Sequence, residues 1–329
     1  MPTKTTKSAL EVLNPLLDDP DILEIMIDGP DRVSVERGGR IEDTAVRFGS
    51  NEEVQKVIEE ALAMTGQKIE AGKTLYDVRL GDNSRMMAVL SPTSINGHSV
   101  VFRKWKTRQV TWEKLIEYRS VSPEVRDLIQ SAIRARVSIL VAGGTASGKT
   151  TVANRIVELI PSEERVVAVE QTHELQFDHP RSVFLEADGN VPVAMNDLLT
   201  AGSKMRPDWL VIGELRGAET LHAMQIMGNG HSAISTIHAT SAENALSRLE
   251  TLCLMANLGL GLDDIRQIIA SALRLIIYQE RLPSGRRKIV QMVELKGLEE
   301  GRYILQPLMR YNPETESFDL TGAKAGWER

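Results

Sequence analysis

Residues 138–152 read Ser138-Ile-Leu-Val-Ala142-Gly143-Gly-Thr-Ala-Ser-Gly148-Lys149-Thr150-Thr-Val152. A short unbroken apolar run gives way to a glycine-rich turn. The turn closes on a Lys-Thr pair, which opens a helical stripe at Val152, Ile156, Leu159 and Ile160, with Pro161 just beyond. Comparable apolar runs recur at 166–169, 209–212 and 233–237. Strands that are apolar at every position fit a parallel sheet covered on both faces, and such a sheet needs crossover helices. A second helix is predicted from the Thr240-Ser-Ala-Glu243 capping box, burying Leu246, Leu249, Leu252 and Cys253. The second half is therefore a doubly wound α/β domain.

Gly143, Gly144, Thr145, Ala146, Ser147, Gly148, Lys149, Thr150 and Thr151 make a complete phosphate-binding loop between strand and helix. Its glycines let backbone N–H groups point inward, and the helix start adds a positive dipole end. With glycine at roughly 7% of residues, a chance match somewhere in the chain is on the order of one in a hundred. Lys149 is placed to reach the β and γ phosphates and Thr150 to offer its hydroxyl to Mg²⁺.

Open parallel sheets bind ligands beyond the carboxyl ends of their strands. Glu170, Glu214 and His238 each end such a run, on the edge where Gly143 ends the first. A strand-end carboxylate by itself is as often a helix cap; three polar ends on one rim argue for chemistry. Asp208 begins its strand, roughly 20 Å from Glu214 at about 3.3 Å per residue, and reads as a turn or cap residue. His231 and His238 face opposite sides of an extended segment and lack further ligands, so a metal pair is discounted. Glu174, Arg216 and Glu219 read singly as surface charge, although Glu174 and Arg216 stand close behind converging strand ends.

The first half, 9–103, reads as a smaller mixed α/β domain. Ile25 and Ile27, then Val33 and Val35, alternate with polar neighbours, and Gly38-Gly39 supplies a tight hairpin. A Ser50 capping box opens a helix with Val54, Val57, Ile58 and Leu62 inward and Gly66 at its end; strands return at 77–80, 85–90 and 99–103. The polar run 104–120 is the expected hinge linker, and Ser122-Pro123 begins the second domain, 121–329.

The chain has 329 residues, enough for two domains, and 39 Lys+Arg against 45 Asp+Glu. Its net charge of −6 opposes broad electrostatic capture of nucleic acid. The lone Cys253 excludes a disulfide framework and a cysteine zinc site. No apolar run nears the roughly 18 residues of a membrane span, and residues 1–8 lack a signal's apolar core. A cytoplasmic protein, at most peripheral to a membrane, is expected.

Several motifs in order give the chain a resemblance to the hexameric ATPases of type II and type IV secretion and pilus assembly, the tight-adherence (Tad) branch nearest. The loop resembles that family's Walker A, residues 169–175 (Val-Glu-Gln-Thr-His-Glu-Leu) its acidic box, 206–216 its Walker B and 230–239 its His box, with His231 and His238. Residues 24–28, 36–40, 77–80 and 84–85 are similar to its N-terminal domain. The resemblance implies a RecA-like ATPase domain behind a PAS-like N-terminal one, with ATP and Mg²⁺ as cofactors. It implies that Glu170 polarises the attacking water, that Glu214 holds Mg²⁺ through water and that His238 senses the γ-phosphate. Arg79, Arg85 and Arg103, with Arg216, become candidate arginine contacts. It further implies a homo-hexamer peripheral to the inner membrane, a polytopic inner-membrane platform protein as partner and no stable nucleic-acid complex.

Three departures stand out. Gln171 replaces the acidic box's second carboxylate. Ala146 replaces a common glycine, which is harmless where φ stays negative. Residues 185–190 lack an arginine frequent in the Tad branch. Two rival readings follow: a nucleic-acid motor using basic residues 103–106 or 281–288, and a non-hydrolytic nucleotide switch.

Overall fold

The computed structural model describes residues 8–38, 40–105, 110–188 and 192–328. Two compact units divide between Arg108 and Gln109. The first opens with a 3-10 turn, Ala9–Leu13, and helix α1 (Asn14–Leu17). Strands β1 (Ile22–Asp28), β2 (Val33–Arg37), β3 (Arg40–Asp43), β4 (Leu75–Arg79), β5 (Arg85–Val89) and β6 (Ser99–Arg103) form an antiparallel sheet ordered β3-β2-β1-β6-β5-β4. Helix α2 (Asn51–Ala63) lays the expected stripe of Val54, Val57, Ile58 and Leu62 into a core with Ile25, Ile27, Val33, Val35 and Phe102. Gly38 and Gly66 take φ of 57° and 73°, as their turns require; Gly39 lies outside the described residues. Ser50 caps α2 by backbone position alone. Its hydroxyl takes no amide, and the Glu53 carboxylate accepts from Gly49 N–H at 2.7 Å.

The second unit holds α3 (Trp112–Glu117), α4 (Pro123–Arg134), β7 (Ile139–Gly143), α5 (Lys149–Val157), β8 (Val166–Glu170), β9 (Ser182–Glu186), α6 (Met195–Lys204), β10 (Trp209–Ile212), α7 (Glu219–Gly228), β11 (Ser232–His238), α8 (Ala242–Leu254), α9 (Leu262–Ala272), β12 (Leu275–Arg281), β13 (Arg287–Glu299), β14 (Arg302–Asn312) and β15 (Ser317–Leu320). Its sheet runs β15-β14-β13-β12-β7-β11-β10-β8-β9, parallel from β12 through β9 and antiparallel from β12 outward. Every residue of β7, β8 and β10 is buried, because α3, α4 and α5 cover one face and α6 to α9 the other. Cys253 sits in the α6-to-α9 layer, where burial pushes its thiol up to about 12. The C-terminal strands continue the central sheet: β12 lies parallel beside β7, with Gln279 opposite Gly143, and turns into β13 at Gly285 (φ 81°).

Two expectations need correction. The α8 cap is Ser241, whose hydroxyl accepts from Asn244 N–H at 3.0 Å; Thr240 stands one residue before it. The 104–120 hinge is largely folded. Lys104 belongs to the first unit, its ammonium donating to the Asp19 carbonyl at 2.6 Å. Residues 112–117 form α3, with Trp112 and Leu115 in the core of the second unit, and residues 106–109 lie outside the described residues. A charged run hid an amphipathic helix too short for periodicity to reveal. Trp112 is 5% exposed and its indole N–H donates to the Arg155 carbonyl at 3.0 Å. Trp112→Ala is expected to lower the unfolding free energy by about 3 kcal/mol in denaturant titration. A hinge residue would change it by less than about 0.5 kcal/mol.

Candidate nucleotide site

The loop between β7 and α5 is fixed from behind by β12. A Cβ on Gly143 would stand 2.3 Å from the Gln279 carbonyl oxygen and 2.5 Å from Ser147 Oγ, so only glycine fits. Gly148 caps α5 at φ 95°, with Gln279 Nε2 and Arg287 Cδ 3.0 and 3.2 Å from where its Cβ would be. Among the described residues no side chain caps α5, which leaves its first N–H groups for an external acceptor. The buried Ser147 Oγ has no partner among the described residues. Ala146 overturns the negative-φ expectation: it stands at φ 56°, a left-handed conformation that disfavours a Cβ by roughly 1–2 kcal/mol. Its carbonyl accepts from Arg287 Nε at 2.8 Å.

Lys149 is buried, and that burial holds its ammonium below the usual lysine range, Glu214 and Glu174 opposing the shift and Arg216 reinforcing it. Its Nζ donates to the Gly144 carbonyl at 3.0 Å and lies 3.2 Å from His238 Nδ1. An ammonium has no lone pair, so Nδ1 accepts, and the ring proton sits on Nε2, 3.0 Å from Glu214 Oε1. Burial first, with Lys149 and Arg216, holds His238 below the usual histidine range, against Glu214. The other Glu214 oxygen accepts from Arg216 Nε at 2.8 Å and from its terminal nitrogen at 2.5 Å. Arg216, Glu214, His238 and Lys149 thus form one chain ending at the phosphate loop. Glu219 accepts from the Arg216 and Gly217 amides and so holds the turn that presents Arg216.

Glu170 stands differently. It is 2% exposed, its side chain crosses Gly213, and Oε1 accepts from the Glu174 and Leu175 amides at 2.9 and 2.8 Å. Its Oε2 lies 2.7 Å from His173 Nδ1. Both oxygens are engaged in shaping the 171–175 turn. Half-buried Glu174, presented by that turn, is the carboxylate of the box whose charge bears on Lys149. Asn154 and Arg155 of α5 pin the same turn at the Gln176 amide and carbonyl, 3.0 and 3.3 Å away. Gln171 and Thr172 donate to Asp188 at 2.5 and 3.0 Å, so a carboxylate at position 171 would face Asp188 directly.

His231 precedes β11 and His238 ends it; His231 Nδ1 lies 3.2 Å from the Ile226 carbonyl, away from the loop. Asp208, at the far end of β10, accepts from the Arg165 amide at 2.8 Å. Of the basic run 281–288, Arg286 pairs with Glu316, Arg287 bonds the phosphate loop and Lys288 is fully buried. In the first unit, Arg79, Arg85 and Arg103 stand opposite one another across β4, β5 and β6. Asp77 grips Arg85 at 2.6 and 2.5 Å, Glu24 lies 3.8 Å from Arg103, and Arg79 is 5.9 Å from the Trp105 ring. Sequence reasoning missed Asn154, Arg155 and Gln279, and read Arg287 only as part of a basic run suited to nucleic acid. Gln279 carried a signal, a polar residue ending an apolar run.

A glycine cradle on a parallel sheet, with polar groups along the same rim, defines a P-loop nucleotide-binding protein with a RecA-like domain. The chain matches the family described as Type II/IV secretion system protein over residues 6–297, and it belongs to that family. A putative conjugal transfer protein of Mycobacterium tuberculosis (H37Rv) is 27% identical over 308 residues, covering 90% of this chain and 87% of that one. The type IV secretion system protein VirB11 of Bartonella henselae is 28% identical over 327 residues, covering 86% of this chain and 91% of that one. The Legionella pneumophila ATPase DotB has the same fold, with TM-score 0.65 at 22% identity over 91% of this chain and 83% of that one. The pilus retraction motor PilT with bound ADP gives TM-score 0.63 at 20% identity over 90% of this chain and 82% of that one. The chain is an ATP hydrolase of the secretion and pilus motor class.

Gly143→Ala is expected to displace the loop against the Gln279 carbonyl. Thermal melts should register about 1–3 kcal/mol of overpacking, and titration with a fluorescent ATP analogue at least a tenfold loss of affinity, about 1.4 kcal/mol.

Proposed function

We propose that the protein is a Mg²⁺-dependent motor that powers assembly of a Tad-like pilus or secretion across the inner membrane. It works in the cytoplasm as a hexameric ring on a polytopic inner-membrane platform protein. The hydrogen-bonded chain from Lys149 through His238 and Glu214 to Arg216 carries this reading, because it ties a phosphate-seeking ammonium to groups that can register its departure. The uncapped α5 start and the unpartnered Ser147 hydroxyl fit a triphosphate. Mg²⁺, when bound, would supply positive charge beside the phosphates, and Thr150 and Glu214 would hold it, the latter through water.

Lys149 turns from His238 to the phosphates, and His238 then keeps its bond to Glu214 while losing the donor on Nδ1. Glu174 orients the attacking water, and Glu170 positions the turn that carries it; this exchanges the role first expected of Glu170. The row Arg79, Arg85 and Arg103 supplies guanidinium groups for phosphate or for a neighbouring copy. The commitments within 281–288 count against a nucleic-acid motor, since three of its basic residues serve the fold or the loop.

Phosphate release by wild type, Lys149→Ala, Glu170→Gln and Glu174→Gln tests these roles. Lys149→Ala should abolish nucleotide binding. Glu174→Gln should bind ATP and lose about 10²–10⁴-fold in kcat. Glu170→Gln should lose less kcat and melt earlier. A larger kcat loss for Glu170→Gln at unchanged melting returns the water-orienting role to it. Equal background release from all four supports the switch, and monomers alone in sedimentation with Mg²⁺ and an ATP analogue overturn the ring.

A further inference from the structure

The first three residues of β13 touch two things at once. Arg287 donates from Nε to the Ala146 carbonyl, the residue of the phosphate loop held at positive φ, and its Cδ lies against Gly148. Lys288, fully buried, donates to the Arg119 carbonyl at 2.6 Å, with its ammonium 5.0 Å from the Tyr311 ring and 5.8 Å from that of Phe318. Ile289 N–H donates to the Ser120 carbonyl at 2.9 Å. Arg119 and Ser120 close the end of α3, whose start is tied by Trp112 to the Arg155 carbonyl of α5, the helix that leaves the phosphate loop. Helix α3 is therefore fastened both to the helix that leaves the loop and to the strand whose Arg287 bonds it, and it is the first helix described after the boundary between the two units.

We propose that Arg287 is a positioning residue that holds the phosphate loop in its binding conformation, and that Lys288 links the grip on nucleotide to the anchoring of α3. The physical basis at Ala146 is local. An alanine leaves the left-handed region unless something holds it there. A charge-assisted bond to its carbonyl does so, where a glycine would need no restraint. The basis at Lys288 is burial. An ammonium inside an aromatic box needs a carbonyl partner, so Arg119 cannot drift from β13 without stranding a charge. Because coupling between sites is reciprocal, whatever fixes the loop must also steady α3. The proposal rests only on the reading of the loop as a nucleotide cradle.

The test combines a fluorescent ATP analogue with hydrogen exchange on the full chain. Arg287→Ala should weaken binding about tenfold, the loss falling on KM rather than kcat, and Arg287→Lys should recover most of it. Ala146→Gly should recover a substantial part of the affinity in the Arg287→Ala background and little in the wild type, a pattern that general destabilisation would not give. Nucleotide should slow exchange across residues 112–120, and Lys288→Met should reduce that protection and weaken binding about threefold. Lys288→Arg, which keeps a donor, is the control for folding and should retain protection. Wild-type affinity in Arg287→Ala overturns the positioning role, as does failure of Ala146→Gly to restore it. Nucleotide-independent exchange across α3 overturns the linkage. Loss of binding in Lys149→Ala beside normal binding in Arg287→Ala defeats this proposal alone, whereas normal binding in both defeats the nucleotide reading itself.

Discussion

A buried ammonium organises this site. Lys149 lies at the start of α5 beneath the loop, where removal from water disfavours its charge, so the surroundings must supply acceptors. Two are present: the Gly144 carbonyl from its own loop, and His238 from the end of a neighbouring strand. The histidine can accept only as a neutral ring, and desolvation, with the charges of Lys149 and Arg216, holds it below the usual histidine range against Glu214. It orients that ring by donating to Glu214, which Arg216 holds in turn. Each group orients the next, so a phosphate drawing Lys149 away changes the whole row.

The row exists because parallel strands end together. β7, β11, β10 and β8 are paired in register, His238 opposite Gly143 and Ile212 opposite both Ser235 and Val169. The pairing continues past the strand ends, with Ala239 N–H on the Gly143 carbonyl and Gly213 N–H on the Val169 carbonyl. Side chains that follow the strands are thereby delivered to one rim. On that rim Glu170 is closest to the core and is consumed by backbone amides, while Glu174 is carried outward on the turn it shapes. The loss of a carboxylate at Gln171 has a physical reason: Asp188 already occupies the space that carboxylate would face.

The β12–β13 pair gives the phosphate loop a back wall and a clamp. Gln279 excludes any side chain at Gly143, and Arg287 restrains Ala146. This is why a residue with a Cβ stands at positive φ in a loop otherwise built on glycine. The same strand holds the end of α3, which makes the C-terminal strands part of the nucleotide site's scaffold.

The order of apolar runs and helical stripes in 138–253 set the parallel core, the loop and the residues ending each strand, because burial on both faces and the glycine turn are written in local pattern. The first unit's sheet and α2 were legible for the same reason. Local pattern could not reveal α3, a six-residue helix hidden in a charged run, with Trp112 and Leu115 buried and Ile116 packed beside them. Nor could it tell that Glu170 is spent on the 171–175 turn, since that depends on where Gly213, His173 and the turn amides stand in space. The positive φ at Ala146 and its restraint by a residue 141 positions later are likewise decided by tertiary packing. Sequence spacing carries periodicity along one element, whereas these contacts join elements distant in the chain, and only the folded backbone brings their atoms within bonding distance.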